Sequence, residues 1–314
     1  MSPDADGRVT EPEGGSRGDD ARPAAADPGG PSGAGAAARG SPGPSGTGGS
    51  TDPGAGRGEG RLHASHAAPV AVFGGVYSNH LALRAVIRDA RARGAEALYC
   101  LGDLGAFGPN PDRVPPLLLD AGVTVIRGNY DDSLARGLED CQCGYTDPRD
   151  NHFARLSYRY TYRNTSPRWR DWMGGLPERL RVGLDGREAL LCHGSPRRMN
   201  EFLWESTTST DFLAHLADRH EADVILATHT GIHWKRELPG GRLFVNVGCI
   251  GRPANDGRTE VWYALLTPSG SGPGVEFVPV AYDHEALAAE MRAEGLPEEF
   301  VETILTGWWT TCLE

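Results

Sequence analysis

Leucine, isoleucine and all three large aromatic residues are missing from the first sixty positions of this 314-residue chain, where Val9 is the only branched aliphatic residue. A stretch of Ala, Gly, Pro, Ser and scattered charge cannot bury enough surface to offset the entropy of ordering its backbone, so residues 1–65 are expected to form a disordered tail. That stretch also has no apolar segment behind a basic start, which argues against a secretory signal, and no repeated P-x-x-P spacing, which argues against a proline-rich ligand. No apolar run is long enough for a bilayer span, so no membrane role is expected. A basic surplus is absent too: the formal charge of −11 excludes a general nucleic-acid binder, which needs a cationic face. Cysteine is scarce, at Cys100, Cys141, Cys143, Cys192, Cys249 and Cys312. Cys100, Cys192 and Cys249 sit in apolar or strand-end contexts, where buried free thiols are the ordinary outcome, and a reducing cytoplasm is the expected location.

Beyond the tail, short apolar runs alternate with amphipathic segments. The pattern predicts strands at 69–74, 96–101 and 123–126, with helices from Leu81 and over 112–121, an order that implies parallel crossovers. Residues 132–176 are rich in Arg, Tyr and Trp and poor in strand signals, and read as a helical insert over the strand ends, with helices at 151–162 and 167–173. Asp185-Gly186 marks a hairpin between strands at 180–184 and 188–192. A helix at 210–219 and strands at 224–227, 243–247, 261–266 and 275–280 follow, and this half is expected to be the more antiparallel. The main domain is placed at 66–283, followed by two short helices over 284–314, with Trp308 and Trp309 packing back on the body.

Four apolar runs end in residues that bind metals: Asp103 in LGDLGAFGPNP, Asn129 in VIRGNYDD, His193 in LLCHGSP and His229 in VILATHTG. Each alone has a plain structural use, as helix cap, turn residue or hydrogen-bonded histidine. Four such donors delivered at four strand ends point instead to one cation, and oxygen with imidazole suits manganese, iron or zinc.

These motifs resemble the calcineurin-like metallophosphoesterases, whose pattern runs D-x-H, G-D-x-x-x-x-G-P, G-N-H-D, H-G-S-P, G-H-x-H and a late N-x-G-S-x-G-x-P. The likeness extends from about Val70 to Leu266. It implies an α/β fold of two packed mixed β-sheets flanked by helices, a four-layer α/β/β/α sandwich with a helical insert. It also implies metal-dependent hydrolysis of a small phosphorylated substrate, a phosphomonoester or phosphodiester. In the family two ions share the aspartate equivalent to Asp103, and Asn129, His193 and His229 match the other ligands of the second.

The departures are concentrated. Gly75 and Tyr77 stand where the family has D-x-H, and Gly231 replaces the last histidine of G-H-x-H, so the ligands particular to the first ion are all absent. A single-metal or atypical site is therefore expected, with a second ion only if Cys141 and Cys143, His80 or His233 rebuild it. The lost charge could be supplied by main-chain N–H groups of a nest at Gly74-Gly75 and Ser78-Asn79, with Gly75 and Asn79 binding phosphate, or that segment could be a simple tight turn. Tyr130 replaces the family's leaving-group histidine and is either a proton donor or a pocket wall, leaving Asp131 to bond it or an arginine. Arg127, Arg197, Arg198 and Arg252 lie in or beside matched motifs, with Arg127 and Arg252 the preferred phosphate ligands. Tyr158, Tyr160, Tyr162, Trp169 and Trp172 could stack a base, although their helical spacing equally fits a core. The competing expectation is a degenerate member that binds a phosphorylated ligand or protein without turnover. No oligomeric state follows from these residues.

Overall fold

The computed structural model describes residues 59–313, so the tail expected over 1–58 lies outside the described residues. The elements in chain order are β1 (Glu59–His66), β2 (Val70–Phe73), α1 (His80–Ala92), β3 (Ala97–Cys100), a 3₁₀ turn at Pro111–Arg113, α2 (Val114–Asp120) and β4 (Thr124–Val125). The insert supplies α3 (Asn129–Arg136), α4 (Pro148–Asn164) and α5 (Pro167–Gly174). Then come β5 (Arg179–Leu184), β6 (Arg187–Leu191), α6 (Thr210–Arg219), β7 (Val224–Ala227), β8 (His233–Leu238), β9 (Arg242–Val247), β10 (Val261–Thr267), β11 (Gly274–Val280), α7 (His284–Ala293) and α8 (Glu298–Thr306).

Two sheets result. One is six-stranded in the order β1-β5-β6-β7-β9-β8, the other five-stranded in the order β11-β10-β2-β3-β4. Strands β2, β3 and β4 are parallel, as their helical crossovers require, and so are β6, β7 and β9. The second half is the more antiparallel, as expected, through the β5–β6, β8–β9, β10–β11 and β10–β2 pairs, although β6, β7 and β9 are parallel and both sheets are mixed.

The period-two alternation of the strands divides the apolar residues among three cores. Val70, Val72, Leu101, Val224, Leu226, Val245 and Val247 face inward from both sheets into one shared core. Their neighbours Ala71 and Phe73 face α1, α7 and α8 on one side, while Ile225, Ala227 and Phe244 face α6 on the other. The layers are thus α/β/β/α, as expected.

Three expectations need correction. Residues 59–65, assigned to the tail, belong to β1, which pairs in parallel with β5; its sequence has no apolar run or alternation to signal a strand, and its main-chain pairing to β5 is a tertiary contact. Strand β8 was not expected, because HWKREL carries three charged residues and reads as polar. Trp309 is buried as predicted, but Trp308 is 55% exposed. Among the described residues no helix is long and apolar enough to cross a membrane.

The hairpin turns where predicted, with Asp185 and Gly186 both in the left-handed region at φ 49° and 74°. A Cβ added to Gly186 would meet nothing within 4 Å. Gly186→Ala should therefore lower stability through backbone strain alone, by about 1 kcal/mol, read as a denaturant midpoint shift at unchanged m-value.

Candidate metal centre

The centre lies where carboxyl ends of strands from both sheets meet. Asp103 follows β3, Asn129 opens α3 just after β4, His193 follows β6 and His229 follows β7. The chain leaves β3 through Gly102 and Asp103, both in the left-handed region at φ 89° and 57°. This curl brings the β3 loop against Gly128: a Cβ on Gly102 would fall 2.3 Å from the Gly128 nitrogen, and one on Gly128 would fall 2.3 Å from Asp103 Oδ1. Neither position admits a larger residue, because the close approach is backbone against backbone and carboxylate.

Asp131 secures the approach. Its buried carboxylate accepts the main-chain N–H groups of Asp103 (2.8 Å), Gly128 (2.9 Å) and Leu104 (3.0 Å). Burial and the nearby Asp103 charge push the Asp131 carboxyl up to about 7. Asp131 therefore neither orients Tyr130 nor pairs with an arginine, contrary to expectation.

Tyr130 donates its main-chain N–H to Asp103 Oδ1 (3.0 Å), while Asp103 Oδ2 lies 3.2 Å from His193 Nε2. His193 Nδ1 is 2.7 Å from the Leu101 carbonyl, and His229 Nε2 is 3.2 Å from the Cys143 carbonyl. A carbonyl oxygen only accepts, so both of those ring nitrogens carry hydrogen. When both rings are neutral, the lone pairs of His193 Nε2 and His229 Nδ1 face each other across 3.1 Å beside the Asp103 carboxylate. Three acceptors in one buried place require a positive charge among them, either a proton or a cation.

The titration of the three groups reflects this crowding. Burial acting alone would raise the Asp103 carboxyl, but the charge and hydrogen bond of His193 outweigh it and hold it below the usual range. Burial likewise works against protonation of His193, and Asp103 more than offsets it, so that imidazole is raised. His229 is pushed down to about 3 by burial and by the charge of His193, so it stays neutral.

The donor atoms of Asp103, His193 and His229 lie within 4.8 Å of one another. Asn129 gives Nδ2 to the Cys141 carbonyl (2.8 Å), while its buried Oδ1 has no hydrogen-bond partner. A buried amide oxygen is seldom left unsatisfied, and this one belongs to a residue expected to be a ligand. The donor chemistry and the orphaned oxygen both fit a divalent ion held by oxygen and imidazole.

The space expected for the first ion is filled. A Cβ on Gly75 would fall 2.6 Å from the Tyr77 ring, and one on Gly231 would fall 3.1 Å from the Trp309 ring. The Arg252 guanidinium stacks on Trp309 at 3.3 Å and reaches the Thr311 and Cys312 carbonyls. Arg252, predicted to bind phosphate, is therefore enclosed by aromatic rings and the C-terminal segment.

The other substrate assignments fail for similar reasons. The amides of Tyr77, Ser78 and Asn79 are bonded to the Asp103, Leu104 and Val76 carbonyls, so no anion nest forms there. The Gly75 carbonyl takes the Gly251 amide, and Asn79 caps α1 through Ala82 while donating to the Gly251 carbonyl. Asn79 is thus committed to its helix and to Gly251 rather than free for an anion. Arg127 pairs with Glu178 at 2.8 Å and donates to the Gly174 carbonyl, joining the sheet to the insert. Arg197 pairs with Glu201.

Tyr130 is no proton donor to the centre either. Its phenol is buried, bonded to Ser157 Oγ at 2.7 Å and packed edge-on to Tyr158, and burial holds its ionisation far above the ordinary range. Tyr158 and Tyr160 spend their hydroxyls on Ser133, Leu138 and Glu294, and so belong to the core. His80 sits beside Arg113 and Glu290, and His233 stacks on Trp262, so neither rebuilds a first site. Cys141 and Cys143 are bonded to each other rather than serving as thiolate ligands. Phe202, which lies 4.4 Å from the His229 ring, was not anticipated, since a lone aromatic in a loop gives no pattern to detect.

A sequence model of the calcineurin-like phosphoesterase superfamily domain matches residues 66–270. An uncharacterized protein of Methanocaldococcus jannaschii, MJ0912, is 23% identical over 254 residues, covering 76% of this chain and 98% of that protein. The crystal structure of hypothetical protein PH1004 from Pyrococcus horikoshii OT3 is similar with a TM-score of 0.64 and 23% identity, over 77% of this chain and 99% of that one. A metallophosphoesterase from Sphaerobacter thermophilus is similar with a TM-score of 0.59 and 24% identity, over 77% and 100%.

Gly128→Ala should cost about 1–3 kcal/mol through overpacking against Asp103 and abolish metal retention, read by thermal unfolding and elemental analysis. Tyr130→Phe, by contrast, should cost about 1 kcal/mol from the lost Ser157 bond and leave any hydrolytic rate unchanged, which an essential acid would not.

Proposed function

Because the chain belongs to the calcineurin-like phosphoesterase superfamily, we propose that it is a metal-dependent phosphoester hydrolase built around a single divalent ion at Asp103, Asn129, His193 and His229. The observation that carries this reading is the buried convergence of one carboxylate and two imidazole lone pairs, and the unpartnered Oδ1 of the buried Asn129 supports it. Manganese, iron and zinc all suit that donor set. Such an ion would act as a Lewis acid toward the oxygens of a small phosphorylated substrate.

The chain itself supplies the orientation. The Leu101 carbonyl fixes the tautomer of His193 and the Cys143 carbonyl that of His229, so each ring presents a lone pair to the same place. Asp131, through three amides, holds the loops that carry Asp103 and Gly128. With the Tyr130 phenol turned into the insert, the leaving group receives its proton from solvent. Esters with acidic leaving groups, such as aryl phosphodiesters, are the favoured substrates on this reading.

One observation favours a second reading, a member that binds a phosphorylated ligand without turnover. All four donor residues are nearly buried, His229 being the most exposed at 8%, and Tyr77 and Trp309 fill the neighbouring space.

Protein purified without chelator should carry about one divalent ion per chain, and Asp103→Asn should lose it. Assayed on aryl phosphate mono- and diesters with added Mn, Fe or Zn, Asp103→Asn should fall about 10²-fold or more below the native chain, in line with losing a transition-state charge interaction. Metal retained by the native chain with equal rates in both proteins would favour the non-catalytic reading. An absence of metal in the native chain would remove the hydrolase reading.

A further inference from the structure

Three consecutive carbonyls in the insert are each used by a different side chain. The Cys141 oxygen accepts from Asn129 Nδ2 (2.8 Å), the Gln142 oxygen from Asn200 Nδ2 (2.8 Å), and the Cys143 oxygen lies 3.2 Å from His229 Nε2. The first and third of these side chains are ligands of the centre proposed above, and this inference rests on that reading. Cys143 Sγ also lies 3.5 Å from Asn129 Nδ2.

The sulfurs of Cys141 and Cys143 are joined as a disulfide, so all three peptide groups sit in or beside one small ring. Gln142 at its centre has φ 52°, in the left-handed region that an unconstrained L residue seldom adopts. A cross-link between residues two apart closes too short a loop to remove much entropy from the unfolded chain. Its effect is local, on where the carbonyls point.

The outer side of the ring borders a cavity of about 190 Å³ lined by Cys141, Cys143, Asn151, Arg155 and Asn200, among others. Cys141 is buried while Cys143 is partly exposed, so a small reductant meets Cys143 first. The other four cysteines are free and buried.

We propose that the Cys141–Cys143 disulfide is a redox-controlled positioning element for the metal centre. Oxidised, the ring sets its carbonyls so that Asn129 turns Oδ1, and His229 turns Nδ1, toward the ion. A dithiol reverses this. Its thiolate attacks Cys143 Sγ, the S–S bond breaks, and Cys141 leaves as a thiolate that takes up a proton. The second thiol of the reagent then displaces Cys143 as a thiol, so the protein gains two electrons and two protons while the reagent becomes a disulfide. The freed Cys-Gln-Cys segment no longer holds both ligands, and affinity for the ion falls.

The test uses the full chain and Mn²⁺, with a water-soluble phosphine as reductant so that no added thiol competes for metal; the phosphine ends as its oxide. Thiol titration under denaturing conditions should find four thiols before reduction and six after, matching the four free cysteines and one bridge. Free Mn²⁺ measured by paramagnetic resonance should then show about ten-fold weaker binding in the reduced chain, the usual scale for losing an outer-shell partner. The Cys141→Ser/Cys143→Ser double variant, checked for native circular dichroism, should match the reduced chain and ignore the phosphine. Six thiols before reduction, or equal affinity in both redox states, overturns the proposal.

A metal-free readout separates its failure from failure of the metal reading. The His229 ring Nε2–H resonance should shift and exchange faster with solvent on reduction. If none of Mn²⁺, Fe²⁺ and Zn²⁺ binds in either state, the metal reading fails, and an unchanged His229 resonance would overturn the positioning role as well.

Discussion

Everything at this centre depends on a knot of main chain tied by one carboxylate. Asp131 gathers amides from the loop after β3 and from Gly128, which caps α3, fixing the close approach of two segments that leave neighbouring parallel strands. The glycines at 102 and 128 permit the contact, and Asp131 holds it. The three N–H donors only partly offset the burial of this carboxylate beside Asp103, which is why its pKa is raised to about 7. The consequence of the knot is geometric: Asp103 Oδ1 is turned to the Tyr130 amide and Oδ2 to His193.

From that point electrostatics dictates the rest. Two imidazoles and a carboxylate cannot share a buried space as three acceptors. The carbonyls behind the histidines leave only the facing nitrogens to resolve the conflict. This is how a site can be specific for a cation before any cation arrives: the protein bears the repulsion in its folded state, and a positive charge relieves it. The opposed shifts of His193 and His229 express the same arrangement, since one site can take a proton only while the other stays neutral.

Beside this centre the same framework has become a packed aromatic core. The Tyr77 ring lies where a side chain at Gly75 would stand and the Trp309 ring closely borders Gly231, with Arg252 stacked on Trp309 and bonded to the C-terminal carbonyls. The losses are therefore mutually consistent rather than scattered: once the rings are in place, neither glycine can grow a side chain again without displacing one. A cross-linked Cys-Gln-Cys segment meanwhile braces the remaining centre from the insert, a contribution of main-chain carbonyls rather than of side chains.

The layered arrangement followed from the family resemblance, whereas the order of most strands and helices and the hairpin at Asp185-Gly186 were legible in the residues, because each is written as a local period or a turn dipeptide. So were Asp103, His193 and His229 as partners, since apolar runs that stop at metal-binding residues recur at strand ends, and the structure gathers these three. Edge strands β1 and β8 were not legible, because the first has no apolar run or alternation and the second is charged. Nor could residue identity reveal which way a side chain turns: Tyr130 into the insert, Arg127 to Glu178, Arg252 to the C-terminal segment. Those directions depend on partners well removed along the chain, and a chain read in order carries no record of who its distant neighbours are. The sequence by itself determined most of the elements and the kinds of donor; only tertiary packing decided which donors face one another, because that is settled by contacts between strand ends of two different sheets.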